Sequence, residues 1–113
     1  MKPLIMGMLL FVMAFSSLAG VTYTKENLNV IYEKGKLPKV GQAVTKEDTP
    51  MDFNECRNIG NQTYAASVGS YPAKIINDSG VEYQLKIWKE NGLVVFNCSR
   101  TEGRKTITQA DYQ

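Results

Sequence analysis

Apolar positions change their spacing twice along this chain, and each change marks a different kind of segment. The first stretch, Leu4 to Phe15, is almost continuously apolar; Met1-Lys2-Pro3 precedes it and Ser16, Ser17, Leu18 and Ala19 follow. A basic start, an apolar middle and a small-residue exit form the layout of a cleavable export signal. Ser17 and Ala19 occupy the two positions where a signal peptidase admits only small side chains, so residues 1–19 are expected to be removed. The apolar run is also shorter than the roughly 20 residues that span a bilayer. Leu18-Ala19-Gly20 would open a lipoprotein cleavage box, but Val21 stands where lipidation needs cysteine. The expectation is an exported protein with no membrane anchor after cleavage.

Residues 20–48 read as a polar lead-in or linker. Thr24 could cap a short helix with Leu28, Ile31 and Tyr32 on one face and Gly35 at its end, and the same residues fit an extended segment equally well. From Gly35 to Pro50, two prolines, Gly41 and mixed charge predict a linker.

The second change comes near residue 50. Phe53, Cys56, Ile59 or Gly60, Tyr64 and Val68 recur at helical spacing, with Thr49 or Asp52 able to cap the start and Gly69 to end it. This predicts a helix over 52–68, weakened in its middle by Gly60 and Asn61. After Pro72 the period falls to two. Strands are expected over 73–77, 81–89, 93–100 and 105–109, separated by Asp78-Ser79-Gly80, Asn91-Gly92 and Glu102-Gly103.

With Asn91-Gly92 as turn centre, Trp88 opposes Val95, Ile87 opposes Phe96 and Leu85 opposes Cys98. Glu102-Gly103 would then set Cys98 beside Ile107. One face collects Ile75, Tyr83, Leu85, Ile87, Val94, Phe96, Cys98 and Ile107. Cys56 independently lies on the apolar stripe of the helix, which predicts one packing of helix on sheet. The fold class expected is α+β: one helix on a four-stranded antiparallel meander, closed by a disulfide from Cys56 to Cys98 on the third strand, with the domain spanning 49–113.

Composition supports the disulfide. Removing 19 of 113 residues leaves 94, enough for one modest core, and two cysteines in an exported chain pair readily. Closing a loop of this length stabilises by about 4 kcal/mol in the chain-entropy account. Formal charge is +2, or +1 once Lys2 is lost, so there is no basic footprint for nucleic acid. Asn61, Asn77 and Asn97 begin glycosylation sequons, accidental in a bacterial setting.

Chemistry is narrowed by absence from the sequence. The chain has no histidine, which removes histidine general bases, nucleophile pairs built on histidine and ordinary zinc sites. A bridged cysteine pair removes thiol catalysis. Glu47, Asp48, Asp52 and Glu55 are the one carboxylate group, and helix-start dipole compensation accounts for it better than acid-base work at Asp52 and Glu55. No cofactor, metal or catalytic residue is expected.

Trp88 is the informative residue. The strand pattern sets it on the face away from the disulfide, beside Val95 and near Gln84, Lys86 and Lys74. Two arrangements fit. Exposed, the indole would form a recognition surface for sugars, peptides or a partner protein; alternatively, Tyr23, Leu28, Ile31 or Tyr32 folds over it as a second small core.

Thr49-Pro50-Met51-Asp52-Phe53-Asn54-Glu55-Cys56, taken with Val94-Val95-Phe96-Asn97-Cys98-Ser99-Arg100, resembles small uncharacterised exported proteins of proteobacteria. In those a Pro-Met-x-Phe-x-x-Cys helix start accompanies a Cys-Ser strand end. The likeness covers about residues 49–109 and implies a bacterial envelope or periplasmic setting, with no activity attached. The function expected is a small binding or inhibitor-type module whose outer sheet face docks an envelope protein or polymer. The alternatives are a structural or accessory protein self-associating through an edge at Ala73 to Asn77 or Lys105 to Gln109, and a carboxylate-based hydrolase.

Overall fold

Thr24 opens the first described helix: its hydroxyl accepts the Asn27 amide at 3.1 Å, and Gly35, at φ 69°, closes the turn behind it. A computed structural model describes residues 21–113; the export signal expected over 1–19 lies outside the described residues. The elements are α1 (Lys25–Glu33), β1 (Val44–Pro50), α2 (Phe53–Ser67), β2 (Ala73–Asp78), β3 (Glu82–Lys89), β4 (Gly92–Ser99) and β5 (Arg104–Ala110). The five strands form one antiparallel sheet in the order β1-β5-β4-β3-β2.

The α+β class and the disulfide are as expected, but the sheet has five strands rather than four. Val44–Pro50 lies in the segment expected to be a linker, and it pairs with β5 as an edge strand. Its sequence, Val-Thr-Lys-Glu-Asp-Thr-Pro, carries no apolar alternation because neither of its faces is covered; all its residues are exposed or half-exposed. The Cys98 strand is consequently fourth in the chain, and it occupies the centre of the sheet.

Both registers differ from expectation by two residues. Lys89 opposes Gly92, so Glu90 and Asn91 form the loop; Trp88 opposes Leu93, Ile87 opposes Val94, Leu85 opposes Phe96 and Tyr83 opposes Cys98. The next hairpin closes at Ser99 and Arg104, which sets Ile107 opposite Phe96 and Cys98 opposite Lys105. A two-residue shift leaves every side chain on its original face, since the pleat repeats every second residue. Gly92 has no positive φ. Its role is close approach: a Cβ there would sit 2.5 Å from the Ala110 carbonyl oxygen.

α2 begins at Asp52, whose carboxylate accepts the Glu55 amide at 3.2 Å. Phe53, Cys56 and Gly60 are its buried stripe, and they meet Tyr83, Leu85, Ile87, Phe96 and Cys98 of the sheet. Gly60 is a notch, because a Cβ would fall 2.4 Å from Tyr83 Cε1 and 3.0 Å from Phe96 Cε1. The Tyr83 hydroxyl passes this notch and donates to Asn61 Oδ1 at 3.0 Å. The two residues that weaken the helix by propensity therefore admit and anchor the largest side chain of the core. The disulfide closes the layer, with Cα atoms 5.9 Å apart.

The opposite face of the sheet has its own, smaller cover. Residues 21–43 fold back over β3 and β4 and trap the C-terminal tail, with Val21 and Val40 both bridging to Tyr112. Leu28, Trp88, Leu93 and Tyr112 form this second core. The lead-in is thus part of the domain, and the domain boundary expected at residue 49 falls inside a strand.

Candidate functional site

The outer face of the sheet, turned away from α2, is made of rows of side chains that the ladder registers bring side by side. The first row is Trp88, Leu93 and Ala110. The second runs Lys74, Lys86, Val95, Thr108 and Thr45, and the third runs Asn77, Gln84, Asn97, Thr106 and Asp48.

The first row is covered. Trp88 retains 8% of its exposure, and the Tyr32 ring lies 5.7 Å from the indole. An exposed indole is therefore overturned, and the second arrangement allowed by the sequence is the one found. The physical reason is the lead-in's own content: Tyr23, Leu28, Ile31, Tyr32 and Leu37 need an apolar surface, and the Trp88 row offers it. Tyr112 completes the lid. Its hydroxyl donates to the Lys89 carbonyl at 2.6 Å, its ring meets Tyr23 edge-on at 5.1 Å, and burial, with Tyr23 adding to it, pushes its phenol up to about 12.

The second and third rows are open. Lys74 is exposed, while Lys86, Gln84, Val95, Asn97, Thr106 and Thr108 are half-buried. The structure thus brings together four of the five residues singled out from sequence, namely Lys74, Lys86, Gln84 and Val95, and removes Trp88 from the accessible group. Gln84 Nε2 donates to Asn97 Oδ1 at 3.0 Å across β3 and β4. Lys74 and Lys86 face each other directly across β2 and β3. Like charges in that position repel, and among the described residues the ion pairs are Arg57–Asp78, Arg104–Asp48 and Lys105–Glu47, none of which involves this pair. Thr106 and Thr108 alternate with Ile107 along β5 and so fall on this face, but β1, which flanks them, was not recognised.

Three of the four carboxylates, Glu47, Asp48 and Asp52, are engaged by partners within the protein. Glu47 pairs with Lys105, Asp48 accepts from Arg104 Nε at 2.6 Å, and Asp52 caps α2 with Glu55 in its first turn. Among the described residues no group of three or more acidic or cysteine side chains is placed to hold a metal ion. Asp78 receives both arms of the Arg57 guanidinium at 2.7 and 2.8 Å, and these bonds hold its carboxyl below the usual range.

No helix among the described residues is long and apolar enough to cross a membrane. No family model matches the chain, and no curated protein or solved structure matches it either.

Proposed function

We propose that this chain is a small exported binding module, of the bacterial periplasm as the resemblance at its cysteine motifs implies, and that it docks another envelope macromolecule on the open rows of its outer sheet face. The observation that carries the reading is the Lys74–Lys86 pair: two like charges held opposite one another on a rigid sheet, beside neutral amides and hydroxyls, with neither lysine in an ion pair among the described residues. Such a surface is electrostatically incomplete, and an anionic partner completes it. A rigid sheet fixed by a disulfide also loses little conformational freedom on binding. The engagement of Asp52 in a cap and of Glu47 and Asp48 in ion pairs supports recognition over catalysis.

The test is a double charge reversal, Lys74→Glu with Lys86→Glu, in the disulfide-bonded protein. Near-ultraviolet dichroism reporting the Trp88 environment checks that the fold persists. Wild-type protein immobilised on a resin should retain an anionic component of the envelope that elutes with salt, and the double variant should not. Equal retention by both proteins discards the reading.

A further inference from the structure

The two edges of the sheet differ in how they are closed to other chains. β1 ends in Pro50, carries an irregularity between Thr45 and Glu47, and has Glu47 and Asp48 tied to β5 by ion pairs. Proline, bulges and engaged charges are the usual means of blunting an edge. β2 shares a bulge, between Ile75 and Asn77, but lacks proline, and among the described residues no hydrogen bond outside its ladder with β3 reaches the backbone of Ala73–Asp78. Ile76, within β2 at its bulge, is 44% exposed. The expected edge at Lys105 to Gln109 does not exist, because β5 lies between β1 and β4.

We infer that β2 accepts a short acidic, extended segment of a partner protein as a sixth strand. This deepens the proposed docking reading and rests on it. A strand added beside β2 would extend the existing rows. Its residue opposite Lys74 would join the outer row Lys74–Lys86, where a carboxylate relieves the like-charge opposition. Its residue opposite Ile75 would join the inner row Ile75–Leu85–Phe96, where an apolar side chain is favoured. The fitting segment alternates acidic and apolar residues, and it is short because the bulge between Ile75 and Asn77 interrupts the edge.

A second copy of this chain fits poorly. Its β2 would bring a further lysine to the same edge, and Asp78, its one acidic residue, lies beyond the bulge in the grip of Arg57. A sugar polymer also fits poorly, because Trp88 is covered and the open rows hold no aromatic ring for stacking.

The probe is a dye-labelled peptide, Thr-Glu-Val-Glu-Val-Glu-Thr, added to the folded protein and followed by anisotropy and by amide exchange. Saturable binding with new protection of amides in Ala73–Ile75 is expected, together with a roughly tenfold loss of affinity in Lys74→Glu. The Lys-for-Glu peptide and a backbone N-methylated peptide should bind far more weakly. If the N-methylated peptide binds as tightly as its parent, or if protection appears elsewhere, strand addition is overturned while docking by charge on the face survives. If neither peptide binds, the edge inference falls and the retention experiment decides the broader reading separately. Self-association of the protein in sedimentation, abolished by the peptide, would replace the partner segment by a second copy and overturn the inference as stated.

Discussion

The two cores of this molecule are built by opposite strategies. The helix-side core is assembled from neighbouring elements, α2 and the β2–β5 meander, and is crosslinked at its centre by Cys56 and Cys98. The tail-side core brings residues 21–43 onto Trp88 and Leu93 together with Tyr112, almost at the far end of the chain, and nothing covalent holds it. The first can form once the central segment collapses. The second requires residues 21–43 and the residues around Tyr112 to meet, at a larger loop-closure cost.

The largest break in this comparison is removal of the crosslink. Replacing both cysteines by alanine releases a loop with a sequence separation of 42 and should cost about 4 kcal/mol, measured as a lowered midpoint in urea under non-reducing conditions. Because the bridge lies wholly in the helix-side core, the loss should affect the global transition. An unchanged midpoint would mean that α2 and β4 are held by packing alone.

Trp88→Ala is the corresponding break on the tail side, and it should cost about 3 kcal/mol. That is the lower part of the range for large aromatic deletions, since residues 21–43 are free to settle into the gap. The spatial outcome matters more than the magnitude. Limited proteolysis should cut within residues 21–43 of the variant while the disulfide-linked fragment stays resistant. Cleavage throughout the chain would instead show that the two cores unfold as one.

This division also accounts for what could be read from residues alone. The helix at Phe53, Cys56 and Gly60, the strand faces and the disulfide were legible because local periodicity and turn residues report neighbours in the chain. The edge strand Val44–Pro50 was not, because a strand open on both faces has no apolar alternation to display. Asn91-Gly92 misled by two residues: the glycine is there for the Ala110 backbone, a contact between distant residues that no local turn rule contains. Lys74, Lys86, Gln84 and Val95 were placed on one face correctly, since a register error of two preserves the face. The covering of Trp88 could not be decided from sequence, for it depends on whether the lead-in helix returns to the sheet. Tyr112, its last partner, carried no signal beyond being aromatic.

Tyr112 gives the finest separation of the two cores, through pH. Burial favours its neutral phenol, raising the folded-state value to about 12 from an ordinary value near 10. The sign follows: the unfolded chain loses this proton first, so the stabilisation is complete below pH ~10 and is lost as pH rises through about 12. Tyr71 and Tyr83 are raised as well, but Tyr112 furthest, so tyrosinate absorbance should show a late step at Tyr112 whose ionisation coincides with loss of the Trp88 near-ultraviolet signal, while the helical signal of α2 persists to higher pH. In Tyr112→Phe the late step should vanish. That variant should lose about 1 kcal/mol at neutral pH, for the hydrogen bond donated to the Lys89 carbonyl, and should fall less steeply in alkali than the parent. If alkali instead released both cores at one midpoint in the parent and the variant alike, the tail-side core would have no independent transition, and the phenol would not be the group that opens it.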